Sequence, residues 1–203
     1  MITLPQCATI DPVIQKKLDS YPVDIRPKRW DGNAKSVTYF KREVLKHGLT
    51  IQSGKCAWCQ LAVGEEGRRT PHRDHIAPKA KHAKWTFLPQ NIVISCEYCN
   101  GFAIKGEIDT ISVLADDYER CSFHVVHPYI DDATIHVRFV PDASNAPIII
   151  QSLSEKGAWT IQKLKLDTPS LTLERAKSHL YERYAAQLNP ADRALFTEAI
   201  ALS

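Results

Sequence analysis

The chain has 203 residues, is 44% hydrophobic and 24% charged, and carries a formal charge of +3. That composition belongs to a folded globular chain and excludes wholesale disorder. No apolar run approaches the roughly 18 residues of a membrane-spanning helix. A balance of +3 is too weakly basic to identify a nucleic-acid binder by itself, and the length allows one or two domains. The opening stretch MITLPQCATIDPVIQKK has no signal-peptide apolar region, so a cytoplasmic location is expected.

In chain order, Asp11 followed by Pro12 reads as a cap and a first helical residue, opening a short helix to about Ser20. Residues 21–33 carry Pro22, Pro27, Gly32 and a basic knot of Arg26, Lys28 and Arg29, which reads as a loop. A helix follows over 37–47 with Val37, Phe40, Val44 and Leu45 on one face and Gly48 as its stop. Residues 64–71 read as a polar loop. Short strands are expected at 73–76 and 92–95, joined by residues 77–90, and a short helix from Cys96 to about Ile104. Strands follow at 123–126, 134–140, 148–153 and 159–166, with turns at Asn145 and at the EKG of 155–157. Thr168 and Pro169 open a helix whose apolar face is Leu173, Ala176, Leu180, Tyr184 and Leu188. Asn189 and Pro190 stop it and start a last helix to about Leu202.

Six cysteines in a chain without an export signal argue against disulfides. Four of them form two C-x2-C pairs, Cys56 with Cys59 and Cys96 with Cys99, which together suit one tetrahedral S4 zinc site. Two unrelated thiol pairs, or a redox motif, are the alternatives. The 36 residues between the pairs exceed simple zinc-ribbon spacing and leave room for a functional insert. Cys7 and Cys121 read as ordinary thiols.

The insert carries HRDHIAP at 72–78 and then NIVISCEYCN at 91–100. The ordered pattern C-x2-C, D-H-I-x-P, N-(apolar)3-x-C-x2-C-N resembles the HNH endonucleases, whose ββα-metal motif is often bracketed by two such cysteine pairs. The resemblance implies an α+β fold: a ββα-metal core at 51–110 held by the four-Cys zinc site, a helical N-terminal segment at 1–50, and C-terminal strands and helices at 111–203. It implies His75 as general base, Asp74 and Asn100 as ligands of a catalytic Mg2+ or Mn2+, and Asn91 as the residue that holds the His-bearing loop. These types suit phosphodiester hydrolysis, which needs a proton acceptor near neutral pH and hard oxygen ligands for the cation. Adjacent residues of a regular strand face opposite ways, so Asp74 and His75 need a bend near 76–78 to share a site.

Many members of the family read C-N-x-x-K-G, whereas here four residues separate Asn100 from Lys105. The basic residues Arg68, Arg69, Arg73, Lys79, Lys81 and Lys84 cluster about the insert and, with Lys105, are candidates for phosphate contacts. His72 and His82 read as surface histidines, and His127 and His136 as structural ones. The downstream segments HPYIDD at 127–132 and WTIQKLKLD at 159–167 resemble the HNH subunits of retron and Septu-type anti-phage systems. That resemblance implies a DNA substrate and an ATPase partner, with no membrane. An RNA-cleaving HNH nuclease and a zinc-dependent nucleic-acid-binding module without catalysis are the competing functions.

Overall fold

A computed structural model of the chain describes residues 3–64, 69–101, 103–141, 147–184 and 187–201. Arg68, the turn at Asn145 and the end of the last helix at Leu202 lie outside them. The fold is mixed α+β, with three two-stranded antiparallel sheets among the described residues. The helices are α1 (Pro12–Asp19), α2 (Arg26–Trp30) and α3 (Lys35–Ile51), which precede strands β1 (Pro71–His75) and β2 (Ile92–Cys96). Then come β3 (Ile111–Val113), β4 (Ser122–Phe123), β5 (Val137–Pro141), β6 (Pro147–Ser152), α4 (Glu155–Lys163), α5 (Pro169–Tyr184) and α6 (Pro190–Ala201). No described helix is long and apolar enough to cross a membrane.

The first helix forms as its sequence dictates: the Asp11 carboxylate accepts from the amides of Val13 and Ile14, and Pro12 occupies the first turn. The expected loop at 21–33 instead contains α2. Its anchor is Trp30, buried edge-on against Phe40 and tilted against Phe87. Arg26 straps this segment down through three carbonyls, those of Tyr21 (3.0 Å), Lys84 (2.8 Å) and Asp19 (2.6 Å). Gly48 does not stop α3, which continues to Ile51. The glycine is there for clearance: a Cβ would stand 2.4 Å from Ile94 Cγ1. Gly48→Ala is therefore expected to cost about 1–3 kcal/mol through overpacking, read as a lowered urea midpoint with an unchanged m-value.

The N-terminal helices pack on Phe87 and Ile92, forming one cluster with Leu18, Trp30, Val37, Phe40 and Val44. A second cluster joins Cys56–Cys99 to residues far downstream, including Phe123, Val125, Ile161, Leu166 and Leu171. The expected strand at 159–166 is the helix α4. Ser154 caps it by accepting from the Gly157 amide (3.0 Å), so the EKG read as a turn is its first turn. Gly157, Thr160, Ile161 and Leu164 are buried at helical spacing. The alternation of WTIQKLKL imitates a period of two, but helical burial prevails over it.

The strand expected at 123–126 is shortened to Ser122–Phe123. That expected at 134–140 starts later, at Val137, behind a 3-10 turn over Ala133–Ile135. No helix forms over 96–104 among the described residues, where the chain makes successive turns. Cys96 and Cys99 must both turn inward, and Gly101 nests so close to the Glu97 carbonyl that a Cβ would stand 2.9 Å from it. On α5, Leu171 and Arg175 face inward. The expected apolar face does not: Leu173, Leu180 and Tyr184 are exposed. Arg175 is buried because its guanidinium ties the carbonyls of Ile148 and Leu166, each at 2.8 Å.

Candidate metal centre and active site

The loop after α3 and the end of β2 bring Cys56, Cys59, Cys96 and Cys99 together. All four are buried, and their sulfurs lie within 4.8 Å of one another. Cys59 and Cys96 sulfurs are 3.9 Å apart. Four Zn–S bonds of about 2.3 Å in a tetrahedron put sulfurs about 3.8 Å apart, close to the Cys59–Cys96 separation, so the cluster could hold a metal ion such as zinc. Backbone amides already point at the sulfurs: Cys96 N–H at Cys56 Sγ (3.3 Å) and Cys99 N–H at Cys96 Sγ (3.4 Å). Neither unrelated thiol pairs nor a redox pair accounts for four converging sulfurs.

β1 and β2 pair in register from Pro71 opposite Cys96 to His75 opposite Ile92. The four-cysteine cluster therefore fixes one end of a ribbon whose other end carries His75. Beyond β1, a cavity of about 250 Å3 is lined by Trp30, Arg73, Asp74, His75, Pro78, Lys79, Asn100, Lys105 and Glu107, among others. Asp74, His75 and Asn100 thus share one cavity although the first two leave the strand on opposite sides. β1 ends at His75, which supplies the expected bend.

His75 does not stand in an open site. It is 7% exposed, and Trp30 packs edge-on against its ring at 4.4 Å. Its Nε2 lies 3.0 Å from the Thr86 carbonyl, which can only accept, so Nε2 carries the hydrogen and Nδ1 is the unprotonated nitrogen. Burial, with smaller contributions from Lys105, Lys79 and Lys41, pushes the imidazolium pKa down to about 3, so the ring is neutral at neutral pH.

Asp74 is 1% exposed, and both of its oxygens are bonded, Oδ2 to the Trp58 indole N–H and Oδ1 to the Lys105 ammonium, each at 2.7 Å. Lys105 is neither a solvated nor a phosphate-facing lysine: it is 2% exposed and donates also to the His75 carbonyl. Asn100, half-buried, has its amide nitrogen 3.3 Å from His72 Nδ1, so His72 is the neighbour of a candidate ligand rather than a bystander.

Asn91 is completely buried and makes four bonds. Its oxygen accepts from the Ala77 amide (2.7 Å) and the Tyr118 hydroxyl (2.8 Å), and its nitrogen donates to the carbonyls of Ala77 (3.0 Å) and Trp85 (3.1 Å). It pins both ends of the loop after His75. Behind it, Tyr118 meets His127 Nε2 at 2.9 Å, and His127 Nδ1 accepts from the Tyr129 amide at 3.2 Å. Burial raises the Tyr118 hydroxyl well above its usual value, keeping it a donor. The hydrogen directions are then fixed: Tyr129 N–H to His127, His127 Nε2–H to Tyr118, Tyr118 to Asn91.

His127 is wholly buried, and burial lowers its pKa from 6.5 to about 3. Between those values the unfolded chain binds a proton that the folded chain does not. The stability this histidine contributes is complete above pH 6.5 and falls as pH drops toward 3. Urea unfolding from pH 6 to 4 is expected to show a slope about 1.4 kcal/mol per pH unit shallower in His127→Asn than in the wild type.

The basic candidates separate. Arg73 and Lys79 line the cavity, Arg73 held by the Lys41 carbonyl (2.6 Å) and Lys79 paired with Asp31 (3.0 Å). Lys81 and Lys84 line a different groove, with Val23, Trp85 and Leu114, and Lys84 is tied to the Asp116 carbonyl. Arg69 faces Glu174 at 3.6 Å, beside the four-cysteine cluster. His82 pairs with Asp109 (2.8 Å) and stacks on Trp85, while His136 bonds the Ser154 hydroxyl (2.7 Å). Sequence reasoning missed Trp58, Thr86, Trp30 and Tyr118. Nothing in the sequence marks their contacts, although Trp58 sits inside the first C-x2-C pair. No family model matches the chain, and no curated protein matches it.

Proposed function

We propose that the protein is a metal-dependent HNH endonuclease that hydrolyses phosphodiester bonds, with DNA as substrate. The observation that carries this reading is the meeting of Asp74, His75 and Asn100 in one cavity beside Arg73 and Lys79, at the end of a ribbon anchored by the four cysteines. The donor chemistry suits a hard cation: Mg2+ keeps several waters and is commonly held by one or two carboxylates plus substrate phosphates, and Asp74 would supply the carboxylate with the Asn100 amide oxygen beside it. A divalent ion at Asp74 and Asn100 supplies positive charge to the phosphate and the leaving oxygen.

His75 accepts the proton of the attacking water at Nδ1 while Thr86 holds the ring through Nε2. The water oxygen bonds to phosphorus as the P–O bond to the leaving oxygen breaks. A pKa near 3 is low for a general base. A phosphodiester entering the cavity brings negative charge close to the ring and raises it toward the working range. Asn91 keeps the loop from shifting. Beside the longer spacing to Lys105, a second feature departs from the family pattern: turns stand where a helix would carry Asn100.

On this reading the protein acts in the cytoplasm as an effector of anti-phage defence, and the exposed α5 residues Leu173, Leu180 and Tyr184 offer a seat for an ATPase partner. Co-purification with a neighbouring ATPase, lost in Leu173→Asp, tests that seat. A specific observation favours a second reading, a zinc-dependent nucleic-acid-binding module without catalysis: both oxygens of Asp74 are already bonded. The deciding experiment incubates zinc-loaded protein with plasmid, single-stranded DNA and total RNA, with Mg2+ or Mn2+ added or withheld. Metal-dependent cutting of DNA supports the nuclease. Cutting of RNA alone moves the substrate assignment, and binding without cutting supports the module.

A further inference from the structure

The Asp74–Lys105 pair is the most deeply buried ion pair in the described chain, at 1% and 2% side-chain exposure. Burying such a pair costs solvation on both partners, and it repays that cost only when the geometry is good and the remaining hydrogens are bonded. Here the ammonium reaches Asp74 Oδ1 at 2.7 Å and also the His75 carbonyl. The lysine thus bridges two neighbouring residues of β1, on the carboxylate expected to hold the catalytic ion.

We propose that Lys105 is a resident cation that occupies the divalent-ion position on Asp74 in the metal-free protein and must leave it when the ion binds. This rests on the nuclease reading of Asp74. Two positive charges cannot share Oδ1 in a buried site without strong repulsion. The other oxygen is held by Trp58 Nε1 at 2.7 Å, so the ion cannot simply take the opposite side. Lys105 has somewhere to go. It lines the same cavity as Glu107, an exposed carboxylate two residues on, and Gly106 between them sits at φ 45°, where a non-glycine residue is disfavoured. Displaced toward Glu107, the ammonium stands in the cavity where a phosphate would enter. Ion binding and the presentation of a phosphate-facing cation are then one event, and the empty enzyme keeps its acidic ligand neutralised.

The test uses full-length, zinc-loaded protein and Mn2+ as probe, with binding followed by water-proton relaxation and by thermal unfolding. Wild type should bind Mn2+ weakly. Lys105→Met, which keeps the length and removes the charge, should bind at least tenfold more tightly. Its metal-free form should melt roughly 10 °C lower, because a buried carboxylate is left unpaired, and Mn2+ should restore most of that loss. The double variant Lys105→Met/Asp74→Asn should not respond to the ion. Equal affinities in wild type and Lys105→Met overturn the proposal and leave the nuclease reading standing. Absence of Asp74-dependent binding in either protein overturns the reading of Asp74 itself. If Lys105→Met does not fold, wild type labelled with 15N-lysine decides. The protected Lys105 ammonium resonance should disappear or shift on saturation with Mg2+, and a resonance unchanged at saturation overturns the proposal.

Discussion

Cys96→Ser is expected to yield protein that carries no zinc and does not fold. Cys96 is the last residue of β2, its sulfur lies 3.9 Å from Cys59, and the sulfur also receives the Cys99 amide. Structural zinc in such sites contributes on the order of 10 kcal/mol to folding, a large share of the whole stability of a domain. The larger hydrophobic cluster includes all four cysteines together with residues as distant as Leu166 and Leu171. Losing one ligand should therefore unfold more than the knuckles. Elemental analysis and far-UV circular dichroism of the variant check both halves, and a folded, zinc-free Cys96→Ser protein would contradict the assignment.

Replacing His75 is expected to lower cleavage by roughly 10²–10⁴-fold, the usual contribution of a positioned general base. Because the ring is packed on Trp30 and bonded to the Thr86 carbonyl, truncation to alanine also opens a hole in the structure. His75→Gln is the cleaner substitution: its amide can still donate to Thr86, yet it cannot take a proton from water. Cutting rates at saturating Mg2+, with zinc content and melting temperature measured on the same sample, separate lost chemistry from lost folding. Wild-type rates in a folded His75→Gln protein would refute the role.

Local sequence was enough to place α1, β1, β2 and the four cysteines. A cap, a C-x2-C spacing and a short β-branched run are features that neighbours in the chain define. Asn91 could be proposed as the loop holder from its place in the motif, but its partners Tyr118 and, through it, His127 come from tertiary packing that no spacing reveals. Residues 159–166 were misread because WTIQKLKL alternates like a strand, whereas the Ser154 cap decides for a helix. Gly48 was misread for a related reason. A glycine that ends a helix and one that lets a strand approach look alike until Ile94 is in place. Lys105 was hardest of all, since a spacing two residues longer than the family pattern gave no sign that the fold would turn this phosphate-contact candidate inward onto Asp74.

The bond chain from Tyr129 through His127 and Tyr118 to Asn91 bears on how the protein can be cut down or transplanted. Residues 51–110 look like a portable cassette, ending before β3 and containing every residue assigned to chemistry. Excised, that piece would retain its cysteines but strip Asn91 of the hydroxyl it leans on and expose Phe87 and Ile92, which the N-terminal helices cover. A chimera built on it would be expected to load zinc and yet leave the segment after His75 unmoored. A graftable unit therefore has to begin no later than α1, carry the Tyr129 turn, and extend on to Leu171, which packs in the same cluster as the four cysteines.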